Sequence, residues 1–237
     1  MDAAIYKALS GAVAQMRKLD VSAQDLANVN TSGYKGQRLA FNEMLAARKS
    51  PGTRSGGFVA VGEQRTNFSQ GELQGTGNPF HLAIDGEGYF VIETPRGERY
   101  TRSGNFTLDA EGTIITPQGD PLSGEGGPLQ VTGNKMEVTS DGTVLSENHE
   151  VGKLRIVHFL DRRQVAKEGS NLFRSESANV EGVTSPKVAQ GNLEQSNVST
   201  IDSMVSMIAI QRQFEAYERA MKLMDGVTQK MIDDAGR

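Results

Sequence analysis

The residues best suited to chemistry lie in one short segment, Asp85-Gly86-Glu87-Gly88. Two carboxylates at this spacing could serve as a general acid and a general base. The segment separates two apolar runs, however, and acidic side chains at the tip of a turn are usually just hydrated, so we interpret it as a turn. A dinucleotide-binding loop is excluded because the third glycine and the following helix are missing.

The sequence also offers little support for a metal site or a catalytic nucleophile. The three histidines, His81, His149 and His158, are far apart and lack the spacing of metal ligands. The chain has no cysteine, which removes disulfides and thiolate chemistry. We therefore predict no metal, no cofactor and no enzymatic activity.

Composition argues against two further classes of protein. The chain has 237 residues and a formal net charge of −4, a balance that speaks against a broad basic surface for nucleic acid. No apolar run reaches the roughly 18 residues expected of a membrane-spanning helix, so we expect no membrane insertion. The first residues also lack the charged and apolar regions of a cleaved secretory signal, and we expect none.

The two ends of the chain carry the periodicity of amphipathic helices. Apolar residues alternate at spacings of three and four, which predicts one helix over about residues 3–29, with Gly33 suited to a left-handed stop. It predicts a second helix from Ser199 to Asp233, with Ser199 and Asp202 as a capping pair. The stripe positions are Ile5, Leu9, Ala12, Met16, Leu19, Ala23 and Leu26, then Ile201, Met204, Met207, Ile208, Ile210, Phe214, Tyr217, Met221, Met224, Thr228 and Met231.

A narrow apolar stripe needs a partner, because most helical stability comes from packing. The two helices could pair within one chain as an antiparallel hairpin, join two chains as a coiled coil, or complete their packing only against further subunits. The stripes are rich in alanine and methionine, which adapt to partners but define a rigid core poorly. This composition favours the third arrangement.

The middle of the chain has the pattern of antiparallel strands. Residues 81–85 and 89–93 flank a glycine turn and predict one hairpin, and residues 135–139 and 143–145 flank Asp141-Gly142 and predict another. Short strands at close spacing are typical of a barrel or sandwich. We therefore predict an α+β chain with paired, coiled-coil-like terminal helices and an all-β central domain.

Four motifs resemble the bacterial flagellar rod and hook family, in that family's order. Residues 20–35 are similar to its signature A-x-N-L-A-N-x-x-T-x-G-[FY]-K, although Gln24 or Asp25 stands at the first Asn. Residues 78–91 are similar to N-P-L-D-x-A-I-x-G-x-G-F-F-x-V, and 100–112 to Y-T-R-x-G-x-F-x-x-D-x-x-G. Residues 190–198, followed by 208–215, resemble the C-terminal pattern Q-G-x-L-E-x-S-N-V…Q-R-x-[FY]-E.

The resemblance implies a structural subunit of the flagellar basal-body rod. Such subunits polymerise helically into a hollow drive shaft that transmits torque and encloses the export channel. Residues 1–32 and 199–237 would form the helical inner domain, 33–75 a connector, and 76–198 the β-rich outer domain with a C-terminal connecting segment. The short connector and the opening residues look most like the proximal rod protein with a single β domain. The distal rod protein is the alternative within the family, and a coiled-coil adaptor or a non-catalytic β-domain binding module is the alternative outside it.

The resemblance also implies partners, a location and site residues. Partners would be copies of the same chain, other rod proteins and the flagellar type III export gate, which would pass the chain to the periplasmic rod without a cleaved signal peptide. Phe41 and Leu45 fit the short export signal of the family, although a pair at this spacing also fits one face of a short helix. The residues expected at subunit contacts are Ile5, Leu9, Met16, Leu19, Leu26, Asn28, Ile201, Ile208, Phe214, Tyr217, Met221 and Met224.

Overall fold

The chain folds into two compact units with helices at its ends and strands between them. The computed structural model describes residues 2–44, 58–133, 135–147 and 149–235. The helical unit comprises residues 1–27, 37–67 and 199–237, and the β unit comprises residues 28–36 and 68–198. The predicted α+β class is confirmed.

In the described part of the chain, all nineteen strands lie between the two long helices in the sequence. The helices are α1 (Asp2–Ala27) and α2 (Thr200–Ala235), and among the described residues no helix is both long and apolar enough to cross a bilayer. Two short 3-10 helices span Arg162–Gln164 and Ser177–Asn179. The strands are β1 (Gln37–Met44), β2 (Phe58–Thr66), β3 (Leu73–Gly75), β4 (Leu82–Ile84), β5 (Tyr89–Thr94), β6 (Gly97–Thr101), β7 (Thr107–Leu108), β8 (Ile114–Ile115), β9 (Ser123–Gly124), β10 (Gly127–Pro128), β11 (Met136–Val138), β12 (Thr143–Ser146), β13 (His149–Lys153), β14 (Ile156–Phe159), β15 (Ala166–Lys167), β16 (Leu172–Arg174), β17 (Val180–Gly182), β18 (Val188–Gln190) and β19 (Asn192–Glu194).

The helical unit is built on α1 and α2, which pack against each other. The predicted cap of α2 is present, since the Ser199 hydroxyl accepts a hydrogen bond from the Asp202 amide at 3.3 Å and satisfies a free donor of the first turn. The helices approach closely at one point. A Cβ atom added to Gly11 would lie 2.7 Å from the ring of Tyr217, so only glycine lets this ring reach the backbone of α1.

A hairpin completes the helical unit. Strands β1 and β2 pair antiparallel, from Gln37 opposite Thr66 to Met44 opposite Phe58. The hairpin is anchored at its start, because the Gln37 amide donates to both carboxylate oxygens of Asp25 on α1 at 3.2 Å. Asp25 thus satisfies the first amide of β1 with a charge-assisted bond.

Residues 33–75 differ from the expected simple connector. They contain β1, β2 and β3, which belong to two different units. The glycine- and serine-rich run at 49–57, on which the prediction of an exposed connector rests, lies outside the described residues.

The β unit is organised around a six-stranded antiparallel sheet with the order β15-β16-β6-β5-β14-β17. Its strand β5 is buried on both faces. Phe90 and Ile92 point into the larger apolar core, whereas Tyr89 and Val91 point into a smaller aromatic core. Because successive side chains of a strand alternate between faces, this one strand supports both cores.

One predicted hairpin is confirmed and the other is wrong. Strands β11 and β12 pair across the Asp141-Gly142 turn, as predicted. Strands β4 and β5 do not pair with each other: β4 pairs with β18, and β5 lies between β6 and β14. The hairpin rule considers only neighbours in the sequence, whereas here the partner of β4 comes from far along the chain.

Because Tyr89 lies in the aromatic core, the free energy of unfolding of the β unit should fall at alkaline pH. The Tyr89 and Phe159 ring centroids are 4.6 Å apart, and Phe173 lies 5.7 Å from Tyr89. Burial raises the pKa of Tyr89 to about 12. An unfolded tyrosine ionises near pH ~10, so between these values the unfolded chain loses its proton first and stability falls as pH rises.

We predict that Y89F removes this alkaline loss. From pH 10 to 12 the wild-type chain should lose up to roughly 2.7 kcal/mol of unfolding free energy that Y89F retains, because two pKa units correspond to this amount. Urea unfolding followed by circular dichroism at several pH values measures it. Y217F, in the helical unit, is the matched control, and parallel alkaline profiles for wild type and Y89F would refute the prediction.

Candidate functional site

The residues considered for chemistry do not form a site. Asp85 and Glu87 are exposed at the turn before β5, and Glu87 accepts a hydrogen bond from Arg162 at 2.5 Å. His81 hydrogen-bonds to Thr76 at 2.8 Å, and His158 lies 3.8 Å from Glu181. Within the described parts of the chain, no three acidic or histidine side chains are grouped as metal ligands.

The stripe residues of α1 are divided between covered and uncovered positions. The buried residues of α1 are all small: Ala8, Gly11, Ala12 and Ala14. Leu9 is 47% exposed and Met16 is 53% exposed, and both are among the residues expected at subunit contacts. Leu19 and Leu26 are half-buried, and for Ile5 the structure describes the helical backbone only.

The stripe residues of α2 are divided along the length of the helix. Ile210 is buried and Met207 is half-buried, as are four later positions named below. The start of the helix differs, since Ile201 is 75% exposed and Ile208 is also exposed. The half-buried later positions are Phe214, Tyr217, Met221 and Met224.

The strongest concentration of charge lies inside the β unit, around Glu194. Its Oε1 atom lies 2.5 Å from Lys35 Nζ, and its Oε2 atom lies 2.6 Å from Arg102 Nε. Glu194 and Lys35 are each only 1% exposed. The Gly71 amide also donates to Glu194 Oε1 at 3.0 Å, so both carboxylate oxygens are engaged in the interior. We call these three charged residues the Glu194 cluster.

The two cations of the Glu194 cluster also bind backbone carbonyls. Lys35 donates to the Ser69 carbonyl at 2.7 Å. Arg102 donates to the carbonyls of Ile84, at 3.1 Å, and of Gly86 and Gly88. Burial lowers the pKa of Lys35, while Glu194 opposes this shift. Two cations share one carboxylate, so the carbonyl oxygens supply the remaining compensation that buried charges require.

The loop at residues 28–36 brings Lys35 into this interior. Gly33 has φ +68° and donates its amide to the Glu194 carbonyl at 2.7 Å. A Cβ atom at Gly33 would lie 2.3 Å from the Ser103 nitrogen, so a side chain is excluded both by conformation and by space. The residue was predicted to be left-handed, but it serves this close approach rather than directly ending α1.

The segment after α1 and the segment before α2 are hydrogen-bonded to each other. Gly36 donates its amide to Asn197 Oδ1 at 2.8 Å, and Asn197 donates its amide to the Tyr34 carbonyl at 3.3 Å. Lys167 Nζ lies 3.5 Å from the centre of the Tyr34 ring and donates to the Lys35 carbonyl at 3.0 Å. The loop after α1 and the segment before α2 are therefore one hydrogen-bonded structure.

Sequence reasoning missed the Glu194 cluster although its members lie in the recognised motifs. The motifs contain Lys35, Arg102 and Glu194 but predicted no role for them. The available signal was a charged residue in each of three motifs whose other positions are mostly apolar, glycine or amide. Asn28, expected at a subunit contact, accepts a hydrogen bond from the Thr31 hydroxyl at 3.3 Å within the same loop.

Comparison with known proteins assigns the family. The family model of the flagellar hook protein FlgE/F/G D1 domain matches residues 83–148, and that of the flagellar basal body rod FlgEFG protein C-terminal region matches residues 189–234. The chain is 36% identical over 235 residues to the flagellar basal-body rod protein FlgF of Caulobacter vibrioides, covering 97% of this chain and 95% of that protein. The chain belongs to the flagellar basal-body rod protein family. It is also 31% identical to FlgG of Bacillus subtilis over 257 positions, covering 97% of each chain, and 29% identical to FlgF of Mesorhizobium japonicum over 248 positions, covering 100% of this chain and 99% of that protein.

Family membership indicates that the Glu194 cluster has a structural role. Rod-family proteins are structural proteins, and this chain is not an enzyme. The buried charges of this rod-family chain therefore serve architecture: they fix where the chain enters and leaves the β unit.

We predict that E194Q strongly destabilises the β unit. The substitution leaves Lys35 and Arg102 buried without a countercharge, which should reduce the unfolding free energy by about 3–5 kcal/mol. Urea unfolding monitored by circular dichroism measures the loss. E72Q, which changes an exposed glutamate of the same unit, is the control and should change stability by less than about 0.5 kcal/mol. A loss below about 1 kcal/mol for E194Q would show that the cluster contributes little.

Proposed function

We propose that the chain is a structural subunit of the flagellar basal-body rod, which polymerises helically into a hollow shaft. Similarity to rod proteins over nearly its full length supports the role. The observation that carries the assembly mechanism is the apolar surface left uncovered on both helices of the helical unit.

The uncovered surface forms two stripes with helical spacing. On α2, Ile201, Met204, Val205 and Ile208 are all exposed and follow one another at intervals of one helical turn or less. On α1, Leu9, Val13 and Met16 are exposed in the same pattern. A contiguous exposed apolar surface marks an interaction site, and residues at these spacings share one helix face. Copies of the chain and other rod proteins are the partners we propose.

The proposed assembly is open-ended. Contacts between two different stripes are heterologous, and repetition of such a contact produces a helical filament unless the rotation closes a ring. In this arrangement the terminal helices, paired in the manner of a coiled coil, line a central export channel. The β units, a barrel- or sandwich-like body, lie outside in the periplasmic part of the rod. Torque then passes through the contacts between subunits.

The proximal rod protein is the member of the family that we favour. Both alignments cover 97% of this chain, but the one with FlgF of Caulobacter vibrioides spans 235 positions and the one with FlgG of Bacillus subtilis spans 257. The alignment with FlgG therefore contains more positions that this chain lacks. A shorter chain agrees with the short connector on which the resemblance to the proximal rod protein rests. The distal rod protein remains the second candidate within the family.

We further propose that the segment around Phe41 is read by the flagellar type III export gate. Phe41 lies in strand β1, with its backbone opposite Val61. The alternative of a short helix at this position therefore does not hold for the described residues 37–44. Leu45, the second member of the proposed signal, lies outside the described residues. A signal within a strand is accessible as an extended segment before the chain folds.

We predict that I208D abolishes assembly without unfolding the chain. A charge within the exposed stripe of α2 opposes burial of the apolar surface, which contributes about 25 cal/mol per Å². Sedimentation velocity at rising concentration should show open-ended growth for the wild type and monomers for I208D. Electron microscopy should show helical assemblies for the wild type only.

The control is Q213D, which places the same charge at an exposed polar position of α2 away from the face of Ile208 and should still assemble. Circular dichroism should be unchanged for both variants. Wild-type growth that stops at a dimer would favour a two-chain coiled coil, and assembly of I208D would contradict the role of the stripe.

We predict that F41A reduces export of the chain by at least about tenfold, because one buried aromatic contact with a receptor contributes this much or more. The amount of the chain in the periplasmic and cellular fractions measures export. L39A, in the same strand, is the matched control. Equal export of F41A and L39A would exclude Phe41 as the recognised residue.

A further inference from the structure

A second, unassigned feature of the β unit is a pocket of about 210 Å³. Its walls come from four places in the chain: the loop at residues 31–32, the segment after β6, the turn after β8 and the residues before β16. All of its lining residues belong to the β unit.

The pocket is lined by uncharged residues that combine polar and apolar surface. Of its thirteen lining residues, ten carry a hydroxyl or a carboxamide and none carries a charge. Apolar atoms, including those of Phe106, Pro117 and Leu172, contribute slightly more of the pocket surface than polar atoms do. In a chain with 23% charged residues, this lining is suited to a ligand that has many hydrogen-bonding groups and no net charge.

The floor of the pocket is held in place by its own hydrogen bonds. Thr101 Oγ1 donates to the Asn171 carbonyl at 3.0 Å, and Asn171 Nδ2 donates to the Ser32 carbonyl at 3.1 Å. The Ser32 and Ser103 hydroxyls lie 3.3 Å apart. A floor fixed in this way presents its remaining donors and acceptors in a defined arrangement, which reduces the entropy lost on binding.

The rim of the pocket offers polar groups and contains an unusual backbone. Asn105, Gln118 and Ser170 are at least partly exposed, and the described residues provide no side-chain hydrogen-bond partner for them. Ser170 has φ +47° and Asn171 has φ +58°, and these are two of the three non-glycine residues with positive φ in the described chain. Such conformations are unfavourable for ordinary residues and cluster at ligand sites.

We propose that this pocket binds one ring of a neutral sugar, with an N-acetylated amino sugar fitting best. A cavity of about 150 Å³ holds a benzene molecule, so the volume here admits a single six-membered ring. Sugar hydroxyls match the hydroxyls and carboxamides of the walls, an acetamido group matches Asn105 and Gln118, and the apolar face of the ring meets the apolar area. A charged ligand would find no counterion.

The experiment titrates the full-length chain, at a concentration at which sedimentation shows it to be monomeric, with two neutral probes and one charged probe, and follows its amide NMR signals. The probes are the trisaccharide of N-acetylglucosamine, maltotriose, and glucosamine, whose amine is protonated. We expect the first to shift signals of the pocket residues with a dissociation constant on the order of 1 mM, since neutral hydrogen bonds contribute modestly. Glucosamine should bind at least about threefold more weakly, because no carboxylate lines the pocket.

Two variants and one control make the test specific to the pocket. N105A and Q118A should each weaken binding of the N-acetylglucosamine trisaccharide about threefold to tenfold, while Q164A, an exposed glutamine of the 3-10 helix, should leave it unchanged. Unchanged circular dichroism excludes unfolding as the cause.

Binding of either neutral trisaccharide that weakens in N105A and Q118A supports the proposal. Absence of binding by both, or binding that these variants leave unchanged, overturns it. Pocket signals that shift only as the chain self-associates, without sugar, would instead assign the pocket to a second copy. The outcome does not depend on the rod function.

Discussion

The structure of the β unit depends on one carboxylate held between two buried cations. Glu194 binds Lys35 and Arg102, and each of the three residues comes from a distant part of the sequence. A buried charge is tolerated only when its partners are complete, so the loop after α1, the end of β6 and the segment before α2 must all be in place together. A chain that has not brought these three segments together leaves an unpaired charge in its interior. The cluster therefore disfavours incompletely folded states.

This constraint also defines how the helices are connected to the β unit. Residues 28–36 follow α1 and residues 195–199 precede α2, and the Asn197 side chain and backbone join these two segments. Gly33 allows the first segment to approach the Ser103 backbone. The hydrogen bonds of Gly36 and Asn197 therefore hold the two segments together within the β unit.

The local elements of the fold could be predicted from the sequence, whereas the contacts between distant parts of the chain could not. The terminal helices and the turn at Asp141-Gly142 follow from periodicity and turn chemistry, which are local properties. The pairing of β4 with β18 could not be derived, because strand partners are chosen by packing in three dimensions. The Glu194 cluster was missed for the same reason, since no spacing rule connects Lys35 with Glu194. The uncovered stripes contain Leu9 and Met16, two of the residues expected at subunit contacts, whereas the buried positions Ala8 and Gly11 of α1 were not singled out by the apolar spacing.

The uncovered leucine, valine, isoleucine and methionine side chains of the two helices have a consequence for the living cell. Under the assembly mechanism proposed above, free chain at high concentration would polymerise before it reached the rod, because the surfaces that join subunits are already uncovered in the single chain. That mechanism therefore makes the concentration of free chain, as well as the strength of each contact, a determinant of where growth begins.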